Sequence, residues 1–363
     1  MKIIHCADLH LDSKMTANLS KEQAKERKME ILRTFSRMVS YAEKNGISVI
    51  LIAGDMFDTR NVSAMVRNMV RDVIVENPKI DFLYLKGNHD SDNFLSKLDE
   101  IPSNLYLFSN QWRTYTYGNV AITGLELNSF NSQTVYNSLQ LAPDKYNIVM
   151  LHGQLAGYQS KNKAEVISLD NLRNKNVDYL ALGHIHKYKQ DKLDARGVYC
   201  YSGCLEGRGF DECGEKGFVV LDTEKKDKEE MIKFVPFASR TLHLLSVDVT
   251  GVFTTQEVGS RINDAIRSTR YASNSLIKIS LVGEVAIDCE IETAFLEEQF
   301  AEYFYFVKIY NETKLKVDYQ DYAKDASLKG EFIRMVSEAD LTEEEKALII
   351  RTGLLALQGE EIG

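Results

Sequence analysis

Five short apolar runs in this chain stop abruptly at residues of metal-binding type. Ile3-Ile4-His5-Cys6 leads into Asp8-Leu9-His10, and the run from Ile47 to Ala53 into Gly54-Asp55-Met56-Phe57-Asp58. Ile80 to Leu85 precedes Gly87-Asn88-His89-Asp90, Ile148 to Leu151 ends in His152-Gly153, and Val177 to Leu182 ends in Gly183-His184-Ile185-His186. Short, continuously apolar runs read as strands covered on both faces, as in sheets flanked by helices. Ligands of such sheets bind beyond the carboxyl ends of the strands, where the loops converge. Five distant stretches of sequence are therefore expected to meet in one crevice. Five of the seven histidines fall in these loops, while His5 and His243 stand apart and read as ordinary. The glycines beside the ligands let the backbone turn sharply there.

Helical periodicity fills the gaps between strands. Lys21 to Lys44 carries Met29, Leu32, Phe35, Val39 and Ala42 on one face, and Val62 to Val75 reads as a second helix. Tyr115 to Ile122 reads as a hairpin turning at Gly118-Asn119, and Val198 to Ser202 and Gly217 to Asp222 as later strands. The expected class is an α/β sandwich. A length of 363 residues suits two or more domains.

The donors are carboxylates, imidazoles and one amide, a set suited to manganese, iron or zinc rather than to thiolate-loving ions. With one carboxylate able to bridge, they are about right for two ions in one site. Two such ions acidify a water and clamp a phosphate for in-line displacement. Any one of these residues, taken singly, reads more readily as a helix cap or a satisfied loop residue than as a ligand. The recurrence at five strand ends is what carries the metal reading. Cys200, Cys204 and Cys213 match no common zinc spacing, and the five cysteines read as reduced thiols. With no signal peptide and no apolar stretch near 20 residues, a cytoplasmic protein without a membrane span is expected.

The motifs Asp8-x-His10, Gly54-Asp55, Gly87-Asn88-His89-Asp90, His152 and Gly183-His184-x-His186 resemble those of the calcineurin-like metallophosphoesterases. Ala7-Asp8-Leu9-His10-Leu11-Asp12, Ala53-Gly54-Asp55-Met56-Phe57-Asp58, Tyr201 to Arg208 and Gly214 to Phe218 resemble the SbcD-type DNA repair exonucleases. The resemblance covers residues 1–222. It implies a four-layer α/β/β/α sandwich in a nuclease domain spanning 1–240. By that resemblance Asp8, His10 and His186 would hold one divalent ion, Asn88, His152 and His184 a second, and Asp55 would bridge them. Manganese is the first choice of metal, with iron or zinc as options. His89 would donate a proton to the phosphate or stabilise its transition state, with Asp90 fixing its orientation. Some archaeal relatives have a histidine where Asp58 stands.

Beyond Pro236, Leu242–Val249, Ser275–Val282 and Phe304–Ile309 read as strands and Thr255–Ser268 and Thr293–Tyr303 as helices. This unit, 241–325, resembles the smaller α/β capping domain of the nuclease family. The remaining 326–363 reads as helices, with Thr342 to Glu345 as a capping box. Its apolar residues include Phe332, Ile333, Val336, Leu348, Ile349, Leu354, Leu355 and Leu357. The resemblance implies that these helices dock an SbcC-like coiled-coil ATPase of SMC type; packing on the chain's own body is the alternative.

Charge divides the chain unevenly. The formal net charge is −9, yet residues 1–240 hold 32 basic and 31 acidic side chains, and residues 241–363 hold 12 and 22. Within 241–325 the balance is 8 basic to 14 acidic, a poor surface for phosphate contacts. Grip on DNA is then expected from loops such as Lys187, Lys189 and Lys192, or from a partner. The expected function is a two-metal DNA phosphodiesterase: an exonuclease, with endonuclease action as an option, processing DNA ends as the nuclease subunit of an ATPase complex and as a homodimer. Two alternatives remain, a small-substrate phosphodiesterase or phosphatase of the same superfamily and a non-catalytic scaffold of this fold. The long extension after residue 240 argues against the first, and the filled ligand positions argue against the second.

Overall fold

The computed structural model describes all residues except 16–18, 59–60, 92–93, 99, 157–164, 226, 287–288, 318, 320–321 and 359–363. The chain divides into two compact units, Met1–Thr241 and Leu242–Gly363.

In the first unit, β1 (Lys2–Cys6), β2 (Val49–Ala53), β3 (Asp81–Leu85) and β4 (Leu105–Leu107) run parallel in one six-stranded sheet. A second six-stranded sheet holds β5 (Arg113–Tyr117), β6 (Val120–Gly124), β7 (Tyr146–His152), β8 (Tyr179–Gly183), β9 (Lys189–Lys192) and β10 (Val198–Tyr201). In it β6, β7, β8 and β10 are parallel, and β5 and β9 pair antiparallel at the edges. β11 (Gly217–Asp222) pairs antiparallel with β1, and β12 (Ile232–Pro236) pairs antiparallel with β11 at the edge of the first sheet. The β5–β6 hairpin turns at Gly118-Asn119, where Gly118 has φ 58°.

Period-2 alternation explains the layers, because each strand sends successive side chains to opposite faces. Ile3, Val49, Leu51 and Leu83 of the first sheet meet Ile122, Ile148, Met150 and Ala181 of the second. On the other face of the first sheet, Ile4, Ile50, Ile52 and Phe82 pack against helices α1 (Lys21–Lys44) and α2 (Ala64–Val75). Ser20 opens α1 with a full capping box: its hydroxyl accepts from Gln23 N at 3.1 Å, and the Gln23 side-chain Oε1 accepts from Ser20 N at 3.1 Å. The outer face of the second sheet is covered too, but by a differently built layer. Val135, Tyr136, Leu139, Leu172 and Leu193 cover it from a 3-10 turn (Val135–Ser138) and loops rather than from a long helix.

The second unit has three parallel strands, Leu242–Asp248, Leu276–Val282 and Phe306–Asn311, backed by helices Thr255–Thr269 and Thr293–Ala301. Two further helices, Leu328–Ser337 and Glu343–Gln358, share a small core of Ile333, Val336, Ile350 and Leu354. Phe332, Val317, Tyr319 and Tyr322 pack against that core, so part of the expected docking surface is used within the chain itself. Leu348, Ile349 and Leu357 stay exposed; the side chain of Leu355 lies outside the described residues.

Candidate metal centre

The carboxyl ends of β1, β2, β3, β7 and β8 deliver Asp8, His10, Asp55, Asn88, His89, His152, His184 and His186. Ligand atoms of Asp8, His10 and His186 lie within 4.8 Å of one another, as do those of Asp55, His152 and His184, and those of His10, Asp58 and His89. Asn88 joins the second group, its Oδ1 3.0 Å from His152 Nε2.

The backbone is bent to bring them there. Asp8, His10, Asp55 and His184 have φ of 51°, 45°, 50° and 101°. Such left-handed conformations cost about 1–3 kcal/mol each and persist only where their surroundings fix them. Here Asp8 N donates to the Gly54 carbonyl and His10 N to the Asp55 carbonyl, both at 3.0 Å. His184 N donates to both Asp8 carboxylate oxygens, at 2.9 and 3.0 Å. The flanking glycines are needed for packing as well as for turning. A Cβ on Gly183 would stand 2.0 Å from the Ala53 carbonyl oxygen, and one on Gly87 2.2 Å from Asp55 Oδ1.

At His152 the hydrogen-bond pattern leaves a lone pair facing other lone pairs. His152 Nδ1 lies 2.9 Å from the Ala53 carbonyl oxygen and so carries the proton there. Its Nε2 then faces two acceptors, Asn88 Oδ1 at 3.0 Å and Asp55 Oδ2 at 3.4 Å. His10 Nε2 and His186 Nε2 face each other at 3.1 Å, while their Nδ1 atoms turn to Asp58 Oδ1 at 3.2 Å and Glu212 Oε1 at 2.6 Å. Buried acceptors converging in this way need a proton or a cation between them. Without a cation, a proton serves. Burial pushes the His152 imidazole down, but the Asp55 carboxylate overrides it and lifts the pKa to about 9. Burial and the neighbouring His152 lower His184 to about 4, so that ring stays neutral and ready to ligate. The donor set and its geometry fit two divalent cations.

A family profile described as calcineurin-like phosphoesterase matches residues 1–188. The chain belongs to that family. The family binds a dinuclear metal centre, and its members are metallophosphoesterases. The chain is 27% identical over 241 residues to an uncharacterized metallophosphoesterase, YhaO, of Bacillus subtilis, covering 62% of this chain and 58% of the relative. It is 21% identical over 387 residues to the DNA double-strand break repair protein Mre11 of Sulfolobus acidocaldarius, covering 95% and 96%. The SbcD component of the SbcCD nuclease of Escherichia coli K12 is 23% identical over 279 residues, covering 64% and 67%. The chain spans about three-fifths of the Bacillus protein's length. Among the described residues no helix is long and apolar enough to cross a membrane.

Two residues of the centre have contacts other than those expected. Asp90, the residue expected to orient His89, has a carboxylate that accepts from Met56 N at 3.2 Å, Phe57 N at 2.9 Å and Gly87 N at 2.9 Å. It ties the β2 loop to the β3 loop because three backbone N–H groups converge on it. Burial, reinforced by the nearby Asp55 charge, raises its pKa to about 7. Asp58 Oδ1 lies 4.0 Å from the Nδ1 of the His89 ring. Glu212, behind His186, was absent from the expected set. Its only sequence signal is its place four residues after Arg208, just beyond the stretch that resembles the nucleases.

Proposed function

We propose that this member of the family is a two-metal DNA phosphodiesterase that processes DNA ends, an exonuclease acting as the nuclease subunit of an SMC-type ATPase complex and as a homodimer. The observation that carries the reading is the close approach of His10 Nε2 to His186 Nε2, at 3.1 Å, beside the Asp8 carboxylate. Similarity across nearly the whole chain to an Mre11 protein supports DNA as the substrate.

Asp8, His10 and His186 would hold one cation, and Asn88, His152 and His184 the other, with Asp55 between them. Two such cations supply Lewis acidity at the phosphate and an acidified water. The remaining work falls to the protein's own groups. His89 is anchored by its backbone N–H on Asp55 Oδ1 at 2.9 Å, and its ring stands edge-on to His10 with centroids 5.3 Å apart. From there the half-buried imidazole can donate a proton to a phosphate oxygen. Lys187 follows His186 directly and is exposed, as is Lys192 on the edge strand β9, which suits contact with a DNA backbone. Helix residues Leu348, Ile349 and Leu357 are the surface proposed for the ATPase coiled coil.

The test is substrate choice. Purified protein with Mn²⁺ receives end-labelled linear duplex DNA and, separately, a generic phosphodiester and a phosphomonoester. Release of label from the duplex supports the reading; turnover of the small esters alone overturns it.

A further inference from the structure

Behind the His10–His186 pair lies a closed set of charged groups. Arg208 Nη1 donates to Asp58 Oδ1 at 2.8 Å, and Nη2 donates to Glu212 Oε1 at 3.0 Å. Those same oxygens face the two imidazoles: Asp58 Oδ1 is 3.2 Å from His10 Nδ1, and Glu212 Oε1 is 2.6 Å from His186 Nδ1. One guanidinium fork thus fixes both carboxylates that face the Nδ1 atoms of the two histidines. The second Glu212 oxygen accepts from Arg208 N at 2.7 Å, and Ser13 Oγ donates to Asp58 Oδ2 at 3.1 Å. The loop carrying Arg208 is itself anchored to α1. Fully buried Arg27 donates to the Gly207 carbonyl at 2.8 Å, and Thr34 Oγ1 donates to Glu206 Oε1 at 2.7 Å. The other half of the centre is backed differently, since His152 Nδ1 rests on the Ala53 backbone carbonyl.

We infer that Arg208 is a positioning residue for one half of the metal centre: its fork holds Asp58 and Glu212 so that His10 and His186 present Nε2 to the same cation. This rests on the reading that these residues bind metal. Outer partners of metal-bound histidines are typically worth about 10–100-fold in metal affinity. Losing the fork should therefore weaken one cation selectively and leave the one beside His152 nearly unchanged.

The test is Mn²⁺ titration of the full chain by calorimetry, with electron paramagnetic resonance of the bound ions. Arg208→Lys keeps the charge but lacks the planar fork that reaches two carboxylates at once. Glu212→Gln keeps the side-chain shape and an acceptor but removes the charge. In each variant one of two Mn²⁺ ions should bind about 10-fold or more weakly, and the spin-coupled signal of the pair should fade at low Mn²⁺. Wild-type affinity in Arg208→Lys would show that only charge matters, and equal weakening of both ions would show a general structural role; either result overturns the inference. Fewer than two ions in the wild-type chain would overturn the underlying metal reading and this inference with it.

Discussion

Gly54 lies so close against the His152 imidazole that a Cβ placed on it would stand 2.1 Å from Nδ1. Its φ of 94° is also one that side chains rarely adopt. His152 cannot swing aside without giving up the Ala53 carbonyl on one ring nitrogen and the Asn88 side chain on the other. Gly54→Ala should therefore cost about 2–4 kcal/mol of stability from backbone strain and overpacking, and weaken the cation beside His152. Gly118 (φ 58°) has nothing within 4 Å of its Cβ direction. Gly118→Ala should cost only about 1–2 kcal/mol and leave metal binding intact. Urea unfolding and Mn²⁺ titration of the two variants check the contrast.

Metal binding should release a proton near neutral pH. The metal-free His152 has its pKa raised to about 9 by Asp55 against the effect of burial, so below that pH a proton occupies the position of the cation. Mn²⁺ affinity should rise between pH 7 and 9, by up to about tenfold per pH unit for one displaced proton, and level off above. His184, lowered to about 4, adds no competition in this range. Calorimetry in buffers of different ionisation enthalpy measures the released proton directly, and its absence at pH 7 would contradict the assignment.

His5 makes a separate contribution to acid stability. It is fully buried on the inter-sheet side of β1, with Nδ1 2.8 Å from the Tyr179 hydroxyl. Burial lowers its pKa to about 3 from an ordinary 6.5. Because the folded value is the lower one, the unfolded chain takes up the proton first. The stability held by neutral His5 is complete above about pH 6.5 and is lost progressively toward pH 3. In His5→Gln, the fall in melting temperature between pH 6.5 and 4 should be shallower than in the wild type.

The exposed residues of the last helix separate partner binding from folding. Leu348 is 65% exposed and Ile349 40%, whereas Ile350 is fully buried in the helix-pair core. Leu348→Glu with Ile349→Glu should leave the melting temperature within about 1–2 °C, as surface changes usually do, and should abolish co-purification with a coiled-coil ATPase partner. Ile350→Ala should instead destabilise the second unit by about 2–5 kcal/mol.

Much of this architecture was legible in the sequence because strands end where their apolar runs end. The run from Ile47 to Ala53 announced β2, and Gly118-Asn119 announced the hairpin. The candidate ligand residues were brought together for the same reason: each sits at a strand end, where topology alone gathers them. The outer layer on the second sheet was not, since Val135, Tyr136, Leu139, Leu172 and Leu193 come from irregular segments with no period to read. Nor was the backing of the histidines. Whether Glu212 faces His186, and whether Asp90 meets a ring or three backbone N–H groups, depends on how loops distant in sequence fold over one another.

The most direct measurement is Mn²⁺-dependent release of label from end-labelled linear duplex DNA by the wild-type chain and by Asp55→Asn. Asp55 is buried beside His152, is proposed to bridge the two cations, and is kept ionised by that imidazole despite burial. Removing that charge should lower the rate by about 10³-fold or more, equivalent to roughly 4 kcal/mol in the barrier. The predicted result is rapid release by the wild type and almost none by Asp55→Asn. Equal release by both, or no release by a wild-type chain carrying two Mn²⁺ ions, would contradict it.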